Sequence, residues 1–240
     1  MKVIRRIVGA ISFLTITPPA GKGELKGASA YFPLAGWLIG GILFLLWTPM
    51  DHLPLFVRAF IIIVVWEFLS RGLHLDALAD TADAFIAGGS RERILAILSD
   101  TRIGAFGVMA IAMLLIGKFA LLSSLPWGRA RDALLLACIL GRYTPALLAS
   151  VFPPAKEEGL GSLIISSSGL TELAVATAIG IVPSFFLFRM PELYACAGVV
   201  VSLVFSLYAW KKIGGLTGDT LGACVEITEL AALFAFLPKP

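Results

Sequence analysis

Three aspartates, Asp76, Asp80 and Asp83, lie within eight residues, directly after an apolar stretch of membrane length. At 3.6 residues per turn, positions i, i+4 and i+7 fall within about 60° of one another on a helix, so the carboxylates form one acidic stripe. A Mg²⁺ ion relieves their repulsion most simply, since it takes carboxylate oxygens and keeps other positions for water and substrate phosphates. The stripe predicts a magnesium site for a phosphate ester, with a solvated acidic face as the alternative.

A glycine-rich turn, 214–222, opens the last apolar stretch and carries Thr217, Gly218 and Asp219. Backbone N–H groups at a helix N-terminus bind anions, so this turn is a candidate phosphate-binding loop. Thr217 and Asp219 equally suit a plain N-cap. Glu226 shares a helical face with Asp219, and we expect it either to join the aspartates as a metal ligand in a polar cavity or to mark an interfacial segment.

Three basic residues are candidates for holding substrate phosphates: Arg102, Arg142 and Lys156. Arg142 lies about ten residues inside an apolar stretch, where a lone cation is costly, so it needs a carboxylate or a ligand phosphate as partner. Lys156 would otherwise belong to an ordinary solvated loop. His74 falls nearly opposite the acidic stripe, so we expect it to pack or cap the start of the helix, with metal ligation as the alternative.

The composition is that of an integral membrane protein. Of 240 residues, 58% are hydrophobic and only 15% charged, with a mean hydropathy of +0.93, against roughly 45–50% apolar residues in soluble domains. Seven apolar stretches have membrane length, but the last contains acids. We therefore expect an all-α, polytopic membrane protein with six to seven transmembrane helices. The net charge of +3 is scattered and gives no support for a nucleic-acid partner. The apolar stretches are 31–49, 54–72, 107–125, 133–152, 172–188, 193–210 and 220–237.

The basic residues predict the orientation. They concentrate in the N-terminal arm, in 71–102, at Lys156 and at Lys211 and Lys212, and the positive-inside rule places all four groups in the cytoplasm. The two arginines of 126–132 argue against this assignment. The aspartate stripe and the glycine-rich turn then face the cytoplasm together.

We treat residues 1–240 as a single integral membrane domain. Residues 1–17 predict an interfacial amphipathic helix, since no clear cleavage site favours a signal peptide, and a plain anchor is the alternative. Residues 74–106 predict a cytoplasmic cap with the aspartate helix, a turn at 88–89 and a short helix capped by Ser90. The cysteines sit singly in apolar stretches and are expected to be free and buried: Cys138, Cys196 and Cys224.

Two small-residue spacings indicate close helix packing. Gly36 and Gly40, and likewise Gly218 and Gly222, are separated by three residues. Such spacings let helices approach closely in a membrane.

The run 74–83, His-Leu-Asp-Ala-Leu-Ala-Asp-Thr-Ala-Asp, resembles the His-Leu-Asp-Gly-Leu-Ala-Asp-Thr-x-Asp-Gly signature of the cobalamin synthases, the adenosylcobinamide-GDP ribazoletransferases. Further blocks follow in collinear order: 100–104 resembles their Asp-Ser-Arg-x-Gly block, 157–161 their Glu-Gly-Leu-Gly loop, and 214–223 their Gly-Gly-x-Thr-Gly-Asp-x-x-Gly-Ala turn. The N-terminal runs Phe13-Leu14-Thr15 and Phe32-Pro33-Leu34-x-Gly36 also fit.

The chain departs from the family pattern at three small residues. Ala77 and Ala84 stand where glycines are expected, and Ala82 where a cysteine is frequent. Every acidic position is intact, so the departures bear on local backbone flexibility more than on chemistry.

The resemblance implies that adenosylcobinamide phosphate passes from adenosylcobinamide-GDP to α-ribazole or its 5′-phosphate, with release of GMP, in a prokaryotic cytoplasmic (inner) membrane. In that reaction Mg²⁺ on the stripe would bridge the diphosphate, and Arg102, with Lys156 or Arg142, would hold phosphates. Either Asp83 or Asp219 would accept the proton of the attacking hydroxyl. A homo-oligomer is one option for the assembly.

Two other classes compete with the transferase. A small cation-coupled transporter would use intramembrane acids as an ion path, but no inverted repeat is evident, and the acids concentrate on one predicted face of the membrane. A purely structural membrane subunit leaves the aspartate stripe unexplained.

Overall fold

The computed structural model describes residues 1–18, 22–188 and 192–237, and within these ranges it is helical and has no strand. Side chains in the first turns of the tenth helix are outside the description, so the prediction for Cys196 is not addressed there. Short 3₁₀ turns cover Ala28–Tyr31 and Thr48–Met50. The helices are α1 (Lys2–Leu14), α2 (Phe32–Trp47), α3 (Leu55–Leu69), α4 (Leu73–Ala87), α5 (Arg91–Ile97), α6 (Ala105–Ser124), α7 (Trp127–Val151), α8 (Leu160–Ser166), α9 (Leu170–Phe188), α10 (Glu192–Ile213) and α11 (Gly218–Ala235).

Three apolar segments of the described chain are long enough to cross a membrane: Ala28–Met50, Ala105–Ser124 and Trp127–Val151. A fourth is counted if α8 and α9, bent by 96°, form one broken span. The described ranges therefore contain three or four candidate spans by length and composition, and the expected six to seven are not confirmed. The 15 residues of α3 reach only about 22 Å, less than a hydrocarbon core of about 30 Å. The 18 residues of α11 include Asp219 and two glutamates.

Helix α7 forms the centre of the bundle and packs against α2, α9, α10 and α11. The approach of α2 depends on its glycines, as the small-residue spacing predicts. A Cβ atom added to Gly36 would lie 2.5 Å from the carbonyl oxygen of Cys138, and one added to Gly40 would lie 3.0 Å from Leu135. Cys138 and Cys224 are free and buried, as expected.

The outer faces of several helices carry large exposed hydrophobic side chains. Examples are Leu45 on α2, Phe60 on α3, Met113 on α6 and Val204 on α10, each more than half exposed. A water-soluble domain rarely exposes so much contiguous apolar surface, whereas lipid solvates it. The surface therefore agrees with the membrane class that the composition predicts.

A buried cluster of charges joins four helices. The ammonium group of Lys118 on α6 lies 2.9 Å from Glu67 on α3, 2.6 Å from Glu226 and 2.8 Å from Glu229, both on α11. Arg142 on α7 pairs with the second oxygen of Glu229. The side chain of Lys118 is fully buried, so these contacts replace its entire hydration shell. We call this group the Lys118 cluster.

We predict that Lys118→Met lowers stability strongly, because it leaves three carboxylates inside the bundle without their shared cation. Removing one partner of a buried ion pair typically costs about 3–5 kcal/mol. Thermal unfolding of the detergent-purified variant measures the loss. Lys211→Met is the control, since Lys211 is exposed near the end of α10. Equal melting temperatures for the two variants would contradict a structural role for the cluster.

Candidate active site

The aspartate stripe lies on α4, which begins after Gly72 in a left-handed conformation (φ 62°). Asp76 is exposed, whereas Asp80 and Asp83 are half-buried. Neither Asp76 nor Asp80 has a hydrogen bond or an ion pair to another described side chain. The helix ends at Gly88, and Ser90 caps α5 by accepting the backbone N–H of Arg93, so the two helices and the turn predicted for this segment are present.

Asp83 has a structural task in addition to any chemical one. Its carboxylate accepts the backbone N–H groups of Gly104 at 2.6 Å and of Gly107 at 2.9 Å, at the start of α6. A negative charge at this position also favours the positive end of the helix dipole. A Cβ atom on either glycine would lie 2.5 Å from the carboxylate, so both positions require glycine. Asp83 thus fixes the stripe against α6.

The glycine-rich turn forms the N-terminus of α11. Thr217 is the N-cap, and its hydroxyl accepts the N–H of Thr220 while the Thr220 hydroxyl accepts the N–H of Thr217, a reciprocal capping box. Asp219 follows in the first turn. Gly222 lets α11 pack on the aspartate helix, because a Cβ atom there would lie 2.5 Å from the Cβ of Ala77.

The loop that contains Lys156 is joined to this turn by backbone hydrogen bonds. The N–H of Ala155 donates to the carbonyl of Leu216 at 2.8 Å, and the N–H of Leu216 donates to Pro153 at 2.9 Å. Arg91 on α5 donates to the carbonyls of Ile213 and Ala155, at 2.9 and 2.8 Å. Arg91 therefore positions two loops that are far apart in sequence.

A cavity of about 410 Å³ opens where these segments meet. We call the polar side of its lining the mouth. It consists of exposed Asp76, Glu158, Gly159 and Gly218, half-buried Lys156 and Asp219, and buried Thr217. Phe13, Phe32 and Gly161 also line the cavity. Each of the sequence blocks that resemble the family pattern therefore contributes to the lining, except 100–104. Anionic and cationic groups around one opening suit a metal-bridged phosphate ligand.

The carboxylates of the aspartate stripe repel one another, and the pKa of Asp80 reflects this repulsion as well as burial. Burial has the largest effect on the pKa of Asp80, and together with the charges of Asp76, Asp219, Asp83 and Asp100, in that order, it raises this pKa to about 6. Asp100 was not among the predicted site residues, although its block was singled out. Within the described ranges, no three acidic, histidine or cysteine side chains are grouped closely enough to hold a metal by themselves.

His74 lies in the lining of the cavity and is 3% exposed. Burial, with the nearby positive charges of Arg142 and Lys118, lowers its pKa well below the ordinary value, so the imidazole is neutral. The side chain makes no cap hydrogen bond to α4, and its Nδ1 atom has no hydrogen-bond partner among the described residues. The expected packing role is observed, but the capping role is not.

Several predicted site residues do not line the cavity: Asp80, Asp83, Arg102, Arg142 and Glu226. Lys156 does line it and has a partner in the protein. Arg102 forms a bidentate pair with Asp100, at 3.0 and 2.7 Å, and its side chain is 86% exposed. Arg142 has the carboxylate partner that its burial required, in the Lys118 cluster. Glu226 belongs to the same cluster, so its charge is matched by Lys118 and it does not join Asp76 at the mouth. Lys156 donates to the hydroxyl of Ser99 at 2.7 Å.

The fold is that of a helical membrane-type protein, with a cavity whose lining includes three acidic side chains and Lys156. The chain belongs to the cobalamin-5-phosphate synthase family, whose profile matches residues 6–237. It is 38% identical over 242 residues to the adenosylcobinamide-GDP ribazoletransferase of Acinetobacter baumannii, covering 95% of each chain. It is 33% identical to that of Caldanaerobacter subterraneus, covering 98% of this chain and 99% of the relative. No solved structure is significantly similar.

We predict that Asp83→Ala destabilises the protein by about 1–2 kcal/mol, the usual cost of losing a side-chain cap at a helix N-terminus. Asp76→Ala should change stability by less than about 0.5 kcal/mol, because Asp76 is exposed and makes no such contact. Thermal unfolding in detergent compares the two. A loss in Asp76→Ala as large as that in Asp83→Ala would contradict the capping role.

Proposed function

We propose that this protein transfers adenosylcobinamide phosphate from adenosylcobinamide-GDP to a ribose hydroxyl of α-ribazole or its 5′-phosphate, releasing GMP and completing the nucleotide loop of cobalamin. One observation carries the proposal: blocks at 74–77, 156–162 and 217–222 converge on one cavity with an acidic mouth. The printed names of the relatives describe this activity for those proteins.

The reaction is a displacement at phosphorus. The ribose oxygen forms a bond to the phosphorus that carries the cobinamide, and the bond from that phosphorus to the bridging oxygen of the diphosphate breaks. GMP leaves with that oxygen. The hydroxyl proton goes to a carboxylate, for which we assign Asp219, because it lines the cavity whereas both oxygens of Asp83 already accept backbone N–H groups.

Asp76 and Asp80 are the proposed Mg²⁺ ligands, with Asp83 adding charge to the stripe. The carboxylates of Asp76 and Asp80 have no hydrogen-bond or ion-pair partner among the described residues, and burial followed by the neighbouring acids raises the pKa of Asp80. Mg²⁺ commonly binds through one or two carboxylates and completes its shell with waters and substrate phosphates, so these residues fit it without a third protein ligand. When bound, the ion neutralises charge on the diphosphate and on departing GMP. Glu226 is left out of the ligand set, since Lys118 already holds it.

Lys156, Thr217 and Gly218 are the proposed phosphate contacts at the mouth. The ammonium group of Lys156 needs only to exchange its hydrogen bond to the Ser99 hydroxyl for a phosphate oxygen. The N-terminus of α11 supplies backbone N–H groups and a favourable dipole. Arg102 is exposed enough to leave Asp100 for a phosphate, whereas Arg142 acts at a distance by holding Glu229 and hence α11.

The membrane arrangement is part of the proposal. We place six to seven segments across a prokaryotic inner membrane, with α1 at the interface and the 74–106 cap and cavity mouth on the cytoplasmic side. The distribution of basic residues supports this orientation, and the exposed apolar faces support contact with lipid. The transporter alternative has no comparable support, because Glu226, one acid of its ion path, is paired with the buried Lys118.

Purified protein supplied with adenosylcobinamide-GDP and α-ribazole should release GMP in amounts equal to the cobalamin formed. EDTA should stop the reaction and excess Mg²⁺ should restore it, because the diphosphate charge is otherwise unscreened. Chromatography of both products measures the stoichiometry. Folded protein that releases no GMP under these conditions would rule out the transferase, and GMP release unaffected by EDTA would rule out the metal.

The raised pKa of Asp80 predicts a pH-dependent metal requirement. Its carboxyl is protonated below about pH 6, so lowering the pH from 7 to 5 should increase the Mg²⁺ concentration for half-maximal activity by about tenfold through this group. Asp80→Asn should lower turnover at least tenfold and remove that dependence. It should not lower stability at pH 7, because an acid with a raised pKa destabilises the fold above that pKa.

Steady-state assays across pH with both proteins test this prediction. Asp51→Asn is the matched control, since Asp51 is exposed between α2 and α3 and lies outside the aspartate helix. Full activity in folded Asp80→Asn would overturn the assignment of Asp80 as a ligand.

A further inference from the structure

The buried part of the cavity has no task in the phosphate chemistry described above. Six buried lining side chains, which we call the floor, are apolar except for one imidazole: Leu14, Phe32, His74, Pro145, Ile164 and Val225. Ser162 and Thr217 are also buried in the lining, but their hydroxyls already have hydrogen-bond partners in the protein. The floor brings together α1, α2, α4, α7, α8 and α11.

His74 is the one polar side chain of the floor, and neither of its ring nitrogens has a hydrogen-bond partner among the described residues. Nδ1 is closed off from the cavity, whereas Nε2 keeps accessible surface and is free to bond a ligand. Buried polar groups in folded proteins are nearly always hydrogen-bonded, so an unpaired imidazole in a cavity lining points to a ligand. The floor therefore offers an apolar surface with a single unused hydrogen-bonding group beside it.

The size of the cavity limits which part of the reactants it can enclose. About 410 Å³ lies in the range of pockets for ordinary small molecules. The corrinoid, with its macrocycle and side chains, is several times larger than a nucleoside and must remain outside. Only a nucleoside-sized part, either the guanosine of the donor or the α-ribazole acceptor, can reach the floor.

The polarity of the floor decides between these two nucleosides. Guanine has several donors and acceptors along its edge, and each costs free energy when it is buried without a partner. The dimethylbenzimidazole base of α-ribazole is an apolar bicyclic ring with no N–H donor. An aromatic ring of this kind packs well against Phe32, whose own ring is stacked on Phe13 at 6.3 Å between centroids.

We propose that the floor is the acceptor subsite, in which the base of α-ribazole lies against Phe32 and Ile164 while the His74 imidazole forms a hydrogen bond with the bound nucleoside. This inference rests on the proposed transferase function. It places the ribose between floor and mouth, where its hydroxyl faces the phosphates and Asp219. His74 is thus a binding residue and takes no part in proton transfer.

Filling the floor tests the proposal with a matched pair of variants on α8. Ile164 lines the cavity and is 4% exposed, whereas its neighbour Ile165 is 3% exposed and does not line it. Ile164→Phe should raise the KM for α-ribazole at least tenfold and leave the KM for adenosylcobinamide-GDP within twofold. Ile165→Phe carries a similar overpacking strain and should leave both constants within twofold.

Changes at His74 provide a second test. His74→Leu should weaken binding of α-ribazole about tenfold, and His74→Gln, which places an amide near the position of Nε2, should recover most of that loss. Calorimetric titration of the purified variants with α-ribazole alone measures binding without turnover. A merely structural His74 would give equal affinities for the Leu and Gln variants, and that result would overturn its binding role.

The outcomes separate this inference from the proposed function. If the wild-type protein releases GMP but Ile164→Phe raises only the KM for adenosylcobinamide-GDP, the floor holds guanosine and the acceptor subsite is rejected. Equal effects of Ile164→Phe and Ile165→Phe would reject it as well. If wild-type protein binds α-ribazole, and loses that binding in Ile164→Phe, without releasing GMP, the subsite stands and the transferase reaction fails. No binding of α-ribazole to wild-type protein would reject the subsite outright.

Discussion

The position of α11 depends on the Lys118 cluster. Lys118 holds two glutamates of α11 and one of α3, and Arg142 holds α11 from the side of α7. Charges buried among apolar helices need partners, so the cluster ties these four helices to one another. The first turn of α11 carries Thr217 and Asp219, and its Gly222 packs on the aspartate helix. The Lys118 cluster, which does not line the cavity, therefore positions the side chains that α11 contributes to the mouth.

The acidic residues fall into two groups according to whether they have a partner in the protein. Glu226 and Glu229 face cations inside the bundle, and Asp83 faces backbone N–H groups of α6. Asp76 and Asp80 have no such partner among the described residues. Burial and the negative charges of neighbouring carboxylates raise the pKa of Asp80. Acids with matched partners stabilise the fold, whereas unmatched acids store electrostatic free energy that a bound cation releases. The carboxylates free to act on a ligand are those left unpaired.

The loops reach the cavity through backbone contacts more than through side-chain pairs. Two hydrogen bonds join the segments at 153–155 and 216, and Arg91 fixes both from α5. Such contacts depend on carbonyl and amide groups that every residue has, so the sequence around Arg91 gives no sign of them. Arg91 resembled an ordinary charged residue in the first turn of a capped helix, and its role became visible only in the folded chain.

The sequence by itself determined the membrane class, the helical character and the acidic stripe, because composition and helical periodicity are local properties. It also contains the motifs that resemble those of the family. The position of Arg142 inside an apolar stretch predicted a carboxylate or phosphate partner for its side chain. Tertiary structure alone decided which acids were already engaged, since Glu226 shares a helical face with Asp219 yet is held by Lys118 across the bundle. It also showed that Asp100 adds to the field at Asp80 and that His74 is buried without a partner for Nδ1. Burial and pairing arise between helices far apart in the chain, and no spacing along the sequence encodes them.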